Sequence, residues 1–454
     1  MRNPGSRVGA GHVRRAAVGC LPFLVAAGLT QGGTGRDPNA VLEQARARLQ
    51  AMAQSLDKYV CVETVDRSYY QRVVPRDAPP SPQPEPACRQ PAGGSTARDR
   101  LQLASTDRVR LEVTVSEGRE LHSWPGATRF DSRDVDDLIR QGPVSTGSFG
   151  AFLTSIFGKP GVAFRYLGER PADGKTVFEY AYRVPLEASR FEIKVAEGWR
   201  PTAYEGEFRI DPRSLELERL TVRTEDPPSG APFCEADTTL DYERVHIGDS
   251  DVLLPRRSQL EIVLKNGPQT SNVTTFSNCR EYGAESEIVF DESSDTESAA
   301  TQSGGRHRVT LPLGLPVTLA LAEPIDTATA ASGDPVAARV VKPVRRPGSA
   351  ETLIPAGAMV RGRIRRVEHH LLPRPYFLVR LAFNRVEIAG VVSPFVARSE
   401  GSEELAQELG ANPEMRGTGI WYWGVGTFLF PTNKSSTVIP AGFESKWSTL
   451  ATGR

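Results

Sequence analysis

Cysteine is the residue type most able to do chemistry in this chain, and it occurs five times. Cys61, Cys88, Cys234 and Cys279 stand far apart with no Cys-x-x-Cys among them, so neither a zinc site nor a dithiol redox motif is indicated. In an exported chain an even set points to two disulfides, with three connectivities open. Sequence-local pairing, Cys61 with Cys88 and Cys234 with Cys279, is the arrangement expected. Against it, in a strict meander Cys234 and Cys279 belong to opposite strand ends. The histidines are scattered, and the adjacent pair His369 and His370 faces opposite ways on one strand. Gly147-Ser148-Phe149-Gly150 approaches a nucleophile elbow, but position 146 is Thr and Gly-x-Ser-x-Gly is not met. Asp131, Asp134, Asp136 and Asp137 lack the glycine and terminal glutamate of a calcium loop, and read as a solvated face or a helix start. Glu205 and Glu207 share a strand face, where carboxylates are usually solvated. No metalloprotease, phosphate-loop or dinucleotide motif occurs, so no catalytic residue, metal or cofactor is expected.

The elements that position these residues begin with a leader. Arg2, Arg7, Arg14 and Arg15 form a basic head, an apolar run from Ala16 to Leu29 follows, and small polar residues close it. That pattern is a cleaved export signal over residues 1–32. The run is shorter than the roughly 20 residues a spanning helix needs, so no stable transmembrane span is expected in the mature chain. Cys20 ends a lipobox-like Ala17-Val18-Gly19-Cys20, but the apolar run continues past it, which favours removal of Cys20 over its lipidation. The expected location is the periplasm or the extracellular space. The formal charge is zero over 454 residues, which leaves no field to draw nucleic acid or an acidic membrane.

Asp37 to Leu56 has helical periodicity in Val41, Ala45, Leu49, Met52 and Leu56, with Asp37 as cap and Pro38 in the first turn. Short alternating segments then dominate, from Lys58 to Cys279, with Asp173-Gly174, Glu197-Gly198, Asp211-Pro212 and Asn266-Gly267 as turns. The fold class is mainly β: an antiparallel curved sheet, or half-barrel, with an N-terminal helix over 37–290, plus a separate small C-terminal β-barrel over 309–450. Residues 291–308 lack large apolar side chains and read as a flexible linker. Ile354-Pro355-Ala356-Gly357 and Ile439-Pro440-Ala441-Gly442 repeat one tetrapeptide, expected as type I turns at barrel corners with Pro second and Gly fourth. Residues 402–410 read as a short capped helix. Trp421, Tyr422 and Trp423 lie in the most apolar segment, a candidate partner or membrane contact if it is not a strand buried on both faces.

Tyr204-Glu205-Gly206-Glu207-Phe208-Arg209-Ile210-Asp211-Pro212, followed by Leu215-Glu216-Leu217-Glu218-Arg219-Leu220, resembles the strand–Asp-Pro–strand pattern of outer-membrane lipoprotein carrier and sorting proteins. That resemblance implies a half-barrel behind the Leu42–Leu56 helix. The stretch from Leu315-Pro316-Val317 through Gly333-Asp334-Pro335-Val336 to Leu353-Ile354-Pro355-Ala356-Gly357 resembles the β-barrel of TrbI-type type IV secretion channels. Tyr59-Val60-Cys61-Val62-Glu63-Thr64-Val65 and Ser123-Trp124-Pro125-Gly126-Ala127 are similar to segments of exported acidobacterial proteins.

Three functions are in play. A non-catalytic envelope protein would hold a lipid or acyl ligand on an apolar strand face, with Val109, Leu111, Val113 and Val115 as the candidate face; a curved sheet with such a face needs a ligand or a covering helix. A scaffold or assembly component would dock its C-terminal barrel on an envelope protein partner. An unrecognised hydrolase is the third.

Overall fold

Asp37 accepts a hydrogen bond from the Asn39 amide and Pro38 opens the first turn, so helix α1 (Pro38–Ser55) starts where capping chemistry expects it. Its buried stripe is Val41, Leu42, Ala45, Leu49 and Ala53. The computed structural model describes residues 35–72, 101–127, 130, 135–139, 142–143, 146–265, 267–282, 309–399 and 426–450. The expected leader, Cys20, Cys88, the expected linker over 291–308, the expected helix over 402–410 and Trp421, Tyr422 and Trp423 lie outside them. From Arg36 onward the chain forms one compact unit.

Twelve strands build the N-terminal half: β1 (Tyr59–Arg72), β2 (Leu101–Ser116), β3 (Arg119–Ser123), β4 (Ala163–Ala172), β5 (Lys175–Val184), β6 (Glu192–Val195), β7 (Gly198–Pro201), β8 (Tyr204–Ile210), β9 (Leu217–Thr224), β10 (Phe233–Ile247), β11 (Ser250–Leu264) and β12 (Gln269–Glu281). Two short helices, α2 (Val135–Leu138) and α3 (Ala151–Phe157), interrupt them. The antiparallel order is β4-β5-β8-β9-β10-β11-β12-β1-β2-β3, with β6–β7 a separate hairpin. The expected simple meander holds from β4 to β12 apart from that hairpin. The first strand then pairs with the last, β1 with β12, so that both edges of β1 have their backbone groups paired. The sheet curves over a core in which α1 and α3 pack against Phe178, Tyr180, Phe208 and Leu220.

The C-terminal half contains β13 (Pro316–Leu321), β14 (Ile325–Asp326), β15 (Pro335–Val340), β16 (Val344–Arg345), β17 (Thr352–Ile354), β18 (Met359–His370), β19 (Tyr376–Ile388), β20 (Val391–Pro394), β21 (Ala397–Ser399), β22 (Gly426–Pro431), β23 (Val438–Ile439) and β24 (Glu444–Thr449). Its ladder runs β22-β19-β18-β15-β13-β24-β21 around a second core centred on Trp447, Phe383 and Phe395. The last strand does return, to lie between β13 and β21. Among the described residues this ladder has β22 at one end and β21 at the other, and no closed barrel forms. The repeated tetrapeptides are corners of a different kind from the one expected. Pro355 accepts from the Ala358 amide and Pro440 from the Phe443 amide, so proline is first and glycine third. Gly357 (φ +81°) and Gly442 (φ +80°) take the left-handed position a type II turn reserves for glycine.

The halves share one sheet. β18 extends the free edge of β2, with Glu368 opposite Asp107 and His370 opposite Ser105. No helix among the described residues is long and apolar enough to cross a membrane.

Candidate functional site

The candidate apolar face lies on β2 and is buried along its whole length. Val113 and Val115 enter the core under α1 and α3, while Val109 and Leu111 form a smaller cluster with Val65, Val135 and Ile139, against which Trp124 packs. The chain's own helices therefore supply the cover that an apolar sheet face requires.

An opening remains at one end of α1. A cleft of about 350 Å³ is lined by Leu49, Met52, Tyr59, Leu215, Val252 and Leu253, with Arg48, Glu216, Arg244 and Asp251 around it. Helical spacing puts Arg48, Met52 and Ser55 along one side of α1. The opposite wall comes from the turn between β8 and β9 and from the closed end of the β10–β11 hairpin. Asp211 organises that turn by accepting from the Arg213 amide at 2.8 Å and by holding the Leu215 amide on its carbonyl. Leu215 adopts φ +60°, a left-handed conformation costly for a side chain that size. Two arginines tie the helix to the same turn: Arg36 donates to the Pro212 carbonyl and Arg48 to the Ser214 carbonyl, each at 2.6 Å. Arg244 pairs with Glu216, so the rim carries both signs of charge with an apolar floor beneath. That combination suits an amphiphile, whose chain the floor can bury while its polar end meets the rim.

Sequence patterning did not single out this cleft. Its walls come from three stretches of chain that no local pattern brings together.

Several buried polar groups elsewhere have structural partners. The Glu120 carboxylate accepts from the Gly147, Phe149 and Gly150 amides at 2.6, 2.7 and 2.9 Å, and burial holds its pKa above the ordinary carboxylate value. Ser148 sits within that turn, buried, with its Oγ 3.0 Å from Ser258 Oγ. The amides that would form an oxyanion hole are thus already filled by an internal carboxylate. On the same strand, His122 lies 3.2 Å from Glu63; burial pushes its pKa down, but Glu63 and Glu120 outweigh that and leave it raised. Arg67 grips Asp107 with two bonds of 2.6 and 2.7 Å. Glu205 and Glu207 are exposed on β8. Among the described residues no cluster of His, Cys, Asp and Glu could hold a metal ion.

The cysteines pair differently from the sequence-local expectation. Cys61 is bonded to Cys279, with Cα atoms 4.0 Å apart. The cause is the β1–β12 ladder: Val60 lies opposite Arg280 and Val62 opposite Ser277, so Cys61 faces a bulge that contains Cys279. Asn278, at φ +48°, makes that bulge. Cys234 is also disulfide-bonded.

No protein family model and no curated protein matches the chain. Three solved structures are similar in part. ComB10 of the Com type IV secretion system of Helicobacter pylori matches with 15% identity, 31% of this chain, 87% of that chain and a TM-score of 0.19. A putative outer membrane lipoprotein-sorting protein domain from Vibrio parahaemolyticus gives 9%, 54%, 92% and 0.25. Lipoprotein LppX of Mycobacterium tuberculosis gives 12%, 55%, 100% and 0.18. These scores are too low to say what this chain binds or does.

Proposed function

We propose that this chain is an exported, non-catalytic protein of the cell envelope that holds a hydrophobic or lipid-like ligand in the curved sheet of its N-terminal half. One observation carries this: the cleft under α1, with an apolar floor of Leu49, Met52, Tyr59, Leu215, Val252 and Leu253 inside a charged rim. Its volume of about 350 Å³ falls within the range of small-molecule sites. The β2 face contributes as the continuation of that floor into the core, through Val113 and Val115. In this scheme residues 1–32 are removed on export and residues 291–308 connect two domains. The test is untargeted lipid mass spectrometry on protein purified from its native envelope, beside a Met52→Glu variant whose carboxylate would be forced onto the apolar floor. Acyl species should accompany the wild type and fall about tenfold in the variant. Wild-type protein free of any amphiphile would sink the proposal.

A second function, docking of the C-terminal half on an envelope protein, is favoured by one observation. Leu313, Val392 and Val438 are 66%, 54% and 57% exposed and all belong to that half. Photo-crosslinking from positions 392 and 438 in the native envelope should capture one recurrent protein; crosslinks to none would remove this role.

A further inference from the structure

The turn at 331–334 belongs to the C-terminal half yet is built into the N-terminal sheet. Ser332 bridges β2 by accepting from the Arg110 amide and donating to the Arg108 carbonyl, each at 2.8 Å. Asp334 pairs with the Arg110 side chain, and Thr329 accepts from the same guanidinium at 3.0 Å. Gly333 is what lets the turn come this close. At φ +106° it lies so near β2 and β3 that a Cβ there would stand 2.3 Å from the Arg110 carbonyl and 2.7 Å from the Trp124 ring.

Trp124 is therefore held from the other half. The backbone of Gly333 lies against its ring, and the Arg365 guanidinium stands 5.6 Å from the ring centroid. Arg363 clamps the arrangement, donating to the Pro125 carbonyl at 2.8 Å and to the Gly333 carbonyl at 2.9 Å. Trp124 packs on the cluster of Val65, Val109 and Leu111, whose remaining cover comes from Val135 and Ile139 at α2.

We propose that the C-terminal half controls exposure of the Val65–Val109–Leu111 patch by holding Trp124 over it through the 331–334 turn. This is an autoinhibitory contact between halves, and it goes beyond the ligand proposal because it holds whatever the sheet binds. A partner that drew the turn away from β2 would free Trp124 and open the side of the patch that Val135 and Ile139 leave to it. The coupling is physical: the same turn pairs with β2, bonds Arg110 and backs the indole.

Two variants of the full chain test it, with amide hydrogen exchange and the fluorescence of 1-anilinonaphthalene-8-sulfonate as readouts. Asp334→Ala/Arg363→Ala removes the ion pair and the clamp. The Arg110 amide should then exchange about tenfold faster and dye fluorescence should rise severalfold, while α1 amides keep wild-type rates. Trp124→Ala should raise dye fluorescence to a similar level with Arg110 exchange unchanged. Faster Arg110 exchange at wild-type dye fluorescence overturns the proposal, as does unchanged Arg110 exchange in the double variant. Should the double variant lose α1 protection, Trp124→Ala decides alone, and wild-type dye fluorescence there overturns it.

Discussion

Glu120 illustrates how much one side chain organises here. Its carboxylate caps the turn that starts α3, where Gly150 offers no side chain of its own. Replacing it with Ala leaves buried amides of Gly147, Phe149 and Gly150 without an acceptor. The expected cost is about 3 kcal/mol, read as a lower urea midpoint at unchanged slope. His122, raised by its neighbours Glu63 and Glu120 against the effect of burial, should remain protonated above the usual histidine range. A raised folded-state pKa stabilises the fold below the unfolded value and the gain is lost as pH rises through the folded value. A ring that titrates by NMR at or below the ordinary 6.5 contradicts this. Glu368 has the opposite sign. Burial alone would raise it, yet His370 at 2.8 Å and Arg366 bring it down to about 2. Its contribution should be intact above the ordinary carboxylate value and fade as pH falls from there towards 2, so Glu368→Gln should flatten the acid limb of a stability–pH curve.

At the level of elements, the Cys61–Cys279 bond fastens β1 to β12 across a sequence separation of 218 residues. In the chain-entropy model a loop that long is worth about 5 kcal/mol, so Cys61→Ala/Cys279→Ala should lower the thermal midpoint by about six degrees in a unit of this size. A change of a degree or two would show that the ladder holds without it. This pairing also marks what the sequence could and could not disclose. α1 was legible to within a residue because its cap, proline and apolar stripe are all local. Most strands from Ala163 to Thr224 were legible because they alternate and because Asp173-Gly174, Glu197-Gly198 and Asp211-Pro212 punctuate them, while the short β7 was missed. The β2 segment Leu101–Asp107 was not, since its Gln102, Ser105 and Thr106 blur the alternation and its partner β18 is remote. The cleft was hidden for the same reason: Leu49, Leu215 and Leu253 meet only after the sheet has curved. Cysteine pairing failed because distance along the chain says little once the first strand joins the last.

For the whole molecule, the shared β2–β18 ladder predicts that the halves stay together when the chain between them is cut. A protease site introduced at Ser303-Gly304 should yield two fragments that coelute on gel filtration and separate only in denaturant. Fragments that part in buffer would show that the Asp107–Glu368 and Ser332–Arg110 contacts are too weak to join the domains. The same wiring has a temporal side. A chain made from its N-terminus has β1 and β2 in hand early, but β1 waits for residues 269–281 and β2 for residues 368–371 to complete their outer edges. Until then two long strands stand with unpaired amides and carbonyls, the condition in which chains join one another instead of themselves. Folding should consequently be slow and concentration-sensitive, as expected where contacts span much of the chain. A holdase that covers strand edges is the helper such a chain would need most.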